Sequence, residues 1–160
     1  MRKKSSPGPN PYVNGFLFDP TLTYVVLLRK NKPPHQEGLL DGVGGKIDAG
    51  ETPLQAMERE FREEAWPAGN KMPEWKEFAI LNWKGSHHPT GAKMHLFRAT
   101  GNVWAARSLT AEKVEVFKVT ELMDRCDTIF NLRWILQMAR SFWFGKDFLS
   151  YTIDGLTWDK

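Results

Sequence analysis

The chain has 160 residues, 41% of them apolar and 26% charged, which are the proportions of a folded globular domain and not of a disordered tail. Its length suffices for one sizeable core but hardly two, and no apolar run approaches the roughly 20 residues that would span a bilayer. The formal net charge of +3 equals the charge of Arg2, Lys3 and Lys4, so the remainder is balanced and the charge does not read as a nucleic-acid footprint, which needs a basic face and not a basic tip.

Residues 1–11 mix those charges with prolines, serines and a glycine, and they predict a flexible arm ahead of a single domain, residues 12–160. Ser5-Ser6-Pro7-Gly8-Pro9 stands where a secretory signal would need an apolar stretch. One cysteine, Cys126, cannot form an internal disulfide, which fits a reducing, cytoplasmic setting. Residues 12–18 and 23–28 are rich in aromatic and β-branched side chains, with Asp19-Pro20 between them, and predict a hairpin. A loop, residues 29–38, precedes a short stretch, 39–46, that carries Gly42, Gly44 and Gly45. Beyond a central helix, residues 77–83 and 93–100 predict a strand pair joined by a loop, 84–92, whose His87 and His88 are expected to form a polar lid without chemistry. Residues 114–119 predict a further strand and 121–125 a helical turn. Residues 132–142 predict a helix with Leu132, Ile135, Leu136, Ala139 and Phe142 on one face. Leu149, Tyr151 and Ile153 alternate with polar residues and predict a closing strand. Interleaving without strict βαβ order implies an α+β fold in which helices pack on a mixed sheet.

The most informative segment is 44–67, GGKIDAGETPLQAMEREFREEAWP. Thr52 suits a helix N-cap, Pro53 the first helical position, and Gln55 completes a capping box. Leu54, Met57, Phe61 and Ala65 then share the face expected to pack on the sheet, while Glu60, Glu63 and Glu64 gather on the adjacent face. Like charges at this spacing destabilise a helix by roughly a few tenths of a kcal/mol each, and the helix dipole disfavours anions near its C-terminal end. A hard divalent cation would relieve that repulsion. The alternative is a solvated acidic face with Arg59 and Arg62 as partners.

The flanking pattern favours the cation. Gly45 is followed at set intervals by Glu51, by Arg59-Glu60, by the apolar Phe61 and by the pair Glu63-Glu64. This resembles the Nudix box, the signature of the Nudix (MutT-like) hydrolases. The family usually has a glycine two positions after the last glutamate, followed by an apolar residue. Here Trp66 and Pro67 stand in those places, which bears on how the helix ends but removes no carboxylate.

The resemblance implies an α/β/α sandwich with a loop–helix–loop catalytic motif and hydrolysis of nucleoside diphosphate-linked compounds with Mg²⁺ or Mn²⁺. It implies that Glu60, Glu63, Glu64 and the carbonyl of Gly44 hold the metal, that Arg59 fixes the glutamates, and that Glu51 braces the loop–helix junction. Glu60 or Glu63 is the expected general base. Some members add an acidic ligand from a downstream loop, for which Glu112 and Glu115 are candidates; the favoured reading of both is as ordinary surface charges beside a strand.

The nearest branch is the nucleoside-triphosphate one, which includes the oxidised-purine triphosphatases and releases a monophosphate and pyrophosphate. GGKIDAGETP is close to the bacterial MutT pattern, and Asp41 stands where the animal oxidised-purine triphosphatase has a base-touching asparagine. Asn131 looks like that branch's base-reading residue, although it equally suits a helix N-cap, and Asp41 equally suits a glycine turn. Lys46, Arg29 and Lys30 are expected near phosphates and Asn14 near the base. An ADP-ribose or dinucleoside polyphosphate hydrolase is the alternative enzyme, and a nucleotide-binding regulator without turnover the alternative class. The nucleotide is the one partner expected; neither a membrane nor a stable nucleic-acid complex is.

Overall fold

The computed structural model describes residues 10–85, 88–141 and 149–153. In chain order it has β1 (Asn10–Phe18), β2 (Tyr24–Arg29), β3 (Leu40–Asp41), β4 (Val43–Lys46), α1 (Pro53–Glu64), β5 (Lys76–Gly85), β6 (His88–Thr100), β7 (Lys113–Lys118), α2 (Leu132–Ser141) and β8 (Leu149–Ile153). The strands form one mixed sheet in the order β3-β2-β1-β6-β5-β8, with β4 joined to β1 and β7 to β2. The predicted α+β class with a mixed sheet is what the chain adopts.

Strand alternation sends successive side chains of β1 to opposite faces. Val13 and Leu17 bury against Met57 and Phe61 of α1. Phe16 and Phe18 bury against Leu132, Ile135 and Leu136 of α2. Each helix thus covers one face of the sheet, with β1 in the middle layer of both cores. No helix among the described residues is long and apolar enough to cross a membrane.

The predicted hairpin is present but short. β1 meets β2 at Phe18↔Val25, and the Asp19 carboxylate closes the turn by accepting from the Thr23 and Tyr24 amides at 2.8 and 2.6 Å. Farther back, β1 leaves β2 and pairs with β4 on one side, Asn14 opposite Gly44, and in parallel with β6 on the other, Asn14 opposite Leu96. This fork opens the sheet beside Asn14 and carries the glycine strand into its middle.

Three expectations need correction. The predicted loop 84–92 is mostly strand, because β5 runs to Gly85 and β6 starts at His88; His87 lies outside the described residues. Leu54 does not reach the sheet and remains 43% exposed, whereas Ala56, Met57 and Phe61 are fully buried, so the packed stripe of α1 is rotated toward Ala56. The predicted turn at 121–125 is a 3-10 turn slightly earlier, at Val119–Leu122. The closing strand is β8, parallel to β5, and Phe142 of the predicted 132–142 helix lies outside the described residues.

The missing glycine after the acidic pair also finds its explanation. α1 ends with Ala65 at φ −137°, not in a left-handed turn. Its last carbonyls are bonded from outside instead, Glu64 by the Leu109 amide and Ala65 by the Arg107 amide, at 3.1 and 3.0 Å. Trp66 turns inward, stacks on Phe61 with ring centres 5.2 Å apart, and donates its indole N–H to the Lys71 carbonyl at 3.2 Å.

Candidate active site

The capping box predicted at the start of α1 is present: Gln55 N donates to Thr52 Oγ1 and Thr52 N to Gln55 Oε1, at 3.2 and 2.9 Å. With the helix start so defined, Glu60 and Glu64 stand one turn apart beside β4 and line a cleft of about 700 Å³ together with Gly44 and Gly45. Gly44 is required by close backbone packing, and Gly45 leaves room for the Glu60 carboxylate. A Cβ on Gly44 would strike the Val13 carbonyl, and a Cβ on Gly45 would lie 2.5 Å from Glu60 Oε1.

Arg59 organises the acidic face. Its Nε and Nη2 grip the two oxygens of Glu51 at 2.6 and 2.9 Å, and Nη2 also donates to the Lys46 carbonyl at 3.0 Å. Its Nη1 donates to Glu60 at 2.8 Å and stands 3.5 Å from Glu63. The guanidinium holds the Glu51 carboxyl down at about 2, and the surrounding carboxylates raise Arg59 further above its already high ordinary value. Part of the repulsion expected among the three glutamates is therefore relieved by an arginine of the same helix. Glu63 faces outward, with a side chain 59% exposed.

Glu64 differs from both. Its Oε2 is buried without a hydrogen-bond partner. Burial, with Glu60 and Glu112 close by, pushes its carboxyl up to about 7. Glu112 is 4% exposed. It lines the same cleft, where Lys30 Nζ and the Asn31 amide donate to it, both at 3.2 Å.

Farther along the cleft, Asn14 Nδ2 donates to Asp41 Oδ1 at 2.7 Å, and the Gly42 amide donates to the same oxygen at 2.6 Å. Asn14 is 2% exposed, and its Oδ1 is buried without a partner. Burial raises the Asp41 carboxyl, opposed chiefly by the Asn14 bond. Beside this pair the wall is aromatic: His88 sits edge-on to both Tyr12 and Trp83, with ring centres 5.7 Å apart in each case. Lys30 and Lys32 provide cationic lining.

The cleft thus brings together Gly44, Glu60, Glu64, Glu112, Asp41 and Asn14. Lys30, expected near phosphates, lines it as well, whereas Arg29, Lys46, Glu63, Glu115 and Asn131 do not. Arg29 is bound to Glu115 at 2.6 Å and to Asp127 at 3.0 Å, outside the lining, which accounts for Glu115 as well. Lys46 contributes its carbonyl to Arg59 and is otherwise exposed. Asn131 is buried just before α2, where its carbonyl accepts from the Trp134 and Ile135 amides at 3.1 Å. Sequence reading did not single out Tyr12, Trp83 or Met94 as lining; the available signal was strand period, since Tyr12 shares a face with Asn14 two residues on.

A family model of the NUDIX domain matches residues 8–137. A sequence comparison with curated proteins finds no match. Among solved structures, the NUDIX domain of Shewanella oneidensis NrtR, complexed with ADP ribose, superposes with a TM-score of 0.71 at 18% identity, covering 88% of this chain and 92% of that one. A MutT protein from Bacillus halodurans gives 0.65 at 22% identity, over 91% and 89%. A NUDIX hydrolase from Nitrosomonas europaea gives 0.65 at 18%, over 94% and 81%. The chain belongs to the NUDIX family and is a Nudix hydrolase, a class that works with divalent metal ions.

Among the described residues, no three His, Cys, Asp or Glu side chains already converge on one point. The donor set nevertheless fits a hard cation, since it is all oxygen and one of those oxygens, Glu64 Oε2, is buried and unbonded.

Proposed function

We propose that the chain is a nucleoside triphosphate pyrophosphohydrolase, converting an NTP or dNTP, oxidised purines included, and water to the monophosphate and pyrophosphate. The observation that carries this reading is that one cleft joins the carboxylates Glu60, Glu64 and Glu112 to the Asn14–Asp41 pair and its aromatic wall. One part suits a metal-neutralised polyphosphate; the other offers the edge and face contacts of a heteroaromatic base. Lys30 and Lys32 beside the carboxylates suit a polyanionic leaving group.

In this reading Glu60, Glu64 and the Gly44 carbonyl would hold the metal, Mg²⁺ or Mn²⁺, with Glu112 as a further carboxylate in the cleft and Glu63 joining them only by turning inward. The metal, when bound, neutralises phosphate charge and acidifies the attacking water. Arg59 keeps Glu60 oriented toward the cleft, and Glu51 keeps Arg59 in place. Asn14 and Asp41 read the base edge while Tyr12, Trp83 and His88 exclude water from its face. Asn131, outside the cleft lining, immediately precedes α2 and is left without a direct contact to the base in this reading, and Lys46 and Arg29 are left to steer and brace.

ADP-ribose is the competing substrate, since the Shewanella NrtR domain is complexed with it. Incubation with canonical and oxidised triphosphates, ADP-ribose and diadenosine polyphosphates in Mg²⁺, read by phosphorus NMR, separates the two. Pyrophosphate from a triphosphate is the expected product. Turnover of ADP-ribose with no pyrophosphate from any triphosphate overturns the reading.

A further inference from the structure

Arg29 ends β2, and its register partner on β3 is Leu40, the residue before Asp41. From there its guanidinium ties three segments together. Nε donates to Glu115 on β7 at 2.6 Å, and Nη1 donates to the Gly38 carbonyl at 2.8 Å and to Asp127 Oδ2 at 3.0 Å. Asp127 is held a second time by Arg125, whose Nε and Nη2 meet its two oxygens at 2.7 and 2.6 Å. Arg125 in turn lies over the Phe117 ring at 5.0 Å. The charges form a network anchored by forked guanidinium bonds, a geometry that holds position better than an isolated surface pair.

The backbone shows what this network immobilises. The Asp127 carbonyl accepts from the Leu40 amide at 2.8 Å, and the Ile129 amide donates to the Leu40 carbonyl at 3.0 Å. Leu40 also bridges Thr128 in parallel. The two-residue strand β3 is therefore clamped between β2 and residues 127–129, and Asp41 is its last residue. Asp41 carries the bond to Asn14. A shift of residues 127–129 moves Leu40, and through it the carboxylate in the cleft.

We infer that Arg29 and Asp127 are positioning residues for base recognition: together they set the register of β3 and so the placement of Asp41 against the nucleobase. This rests on the reading of Asp41 as a base contact, but not on which phosphate bond is cut. It reassigns Arg29 from phosphate contact to brace.

The test measures dissociation constants of the four common ribonucleoside monophosphates, with Mg²⁺, for the wild type, Arg29→Lys, Arg29→Ala and Asp127→Asn. A monophosphate is a product whether the substrate is a triphosphate or ADP-ribose, so this readout stands apart from the pyrophosphate assay. Amide hydrogen exchange at Leu40 and Ile129 is followed in the same proteins. The wild type is expected to prefer one base by about tenfold or more, the range of a good hydrogen-bonded base contact. Asp127→Asn and both Arg29 variants are expected to compress that preference toward unity and to speed exchange at Leu40 and Ile129. Arg29→Lys keeps the charge, but its single ammonium lacks the planar spread by which Nε reaches Glu115 while Nη1 reaches Gly38 and Asp127, so it should fail like alanine. A phosphate contact predicts the opposite: a near-normal lysine variant, a silent Asp127→Asn, and equal weakening for every base in Arg29→Ala. That pattern, a wild type with no base preference, or an unchanged preference in variants that have lost Leu40 protection overturns the inference.

Discussion

Arg59 holds Glu51 through two hydrogen bonds, Nε to Oε1 at 2.6 Å and Nη2 to Oε2 at 2.9 Å, and from that anchor it reaches Glu60 at 2.8 Å. Glu51 lies in the loop before α1, and its Oε2 also accepts from the Asp48 amide at 3.0 Å. The arginine therefore ties the loop, the Lys46 carbonyl on β4 and the acidic face of α1 into one unit. The Glu60 carboxylate is aimed by a contact that starts eight residues upstream of Arg59.

Arg59→Lys keeps a cation but loses the fork that joins Glu51 to Glu60. Turnover is expected to fall by roughly ten- to a hundredfold, the usual effect of loosening a group that orients a metal ligand. Steady-state kinetics with magnesium titrated through saturation checks this. Full activity for the lysine variant would show that Glu60 needs no such support.

The same pair sets an acid response. The Glu51 carboxyl is held near 2 against an ordinary 4.5. A depressed carboxylate contributes stability that is complete above the ordinary value and is lost as pH falls through the depressed one. The wild type should therefore lose this contribution between about 4.5 and 2, and Glu51→Gln should show a flatter acid limb over that window. Carbon-detected NMR titration gives the direct readout: the Glu51 midpoint returns toward its ordinary value in Arg59→Ala. A midpoint that does not move would remove the ion pair as the cause.

Glu60→Gln and Glu64→Gln are each expected to lower turnover by at least roughly a hundredfold, as for loss of a metal ligand or base. Magnesium binding followed by calorimetry should weaken in both. Glu63→Gln is expected to be milder, because its side chain points to solvent, 59% exposed, and shares Arg59 with Glu60. Equal losses at all three positions would mean that Glu63 swings inward when substrate arrives.

Local signals in the sequence carried the elements that local chemistry decides. The Thr52–Gln55 box marked the start of α1, and the alternation of Leu149, Tyr151 and Ile153 marked β8. Helical spacing placed Glu60, Glu63 and Glu64 on one face with Arg59 and Arg62 as candidate partners, and the family resemblance singled out Arg59. Contacts made across the fold were not legible. Arg29 was expected to meet phosphate because it ends a strand beside a basic loop; its actual partners, Glu115 and Asp127, are 86 and 98 residues away. Leu54 had the right helical period, yet it stays 43% exposed while Ala56 is fully buried, so the packed stripe is set by how α1 lies on the sheet and not by period alone. The loop 84–92 was read from its Gly, His and Pro content, but pairing along β5 and β6 overrode that composition.

Trp66 stands where the family's glycine would end the helix, and its role is testable by restoring that glycine. The indole is buried, stacked on Phe61, and bonded to the Lys71 carbonyl. Phe61 in turn meets Trp75 edge-on with ring centres 4.9 Å apart, so Trp66 is the outer member of an aromatic row beneath α1. Trp66→Gly removes that packing and gains nothing in return, because the Glu64 and Ala65 carbonyls are already bonded by residues 109 and 107. The expected loss is about 3–5 kcal/mol, as for deleting a buried large aromatic side chain. Urea unfolding followed by circular dichroism measures it, and the slope should stay constant if only stability has changed. The folded fraction should keep its turnover, since Trp66 lies outside the cleft lining. A stability change near zero would mean that glycine's left-handed turn can replace the aromatic row.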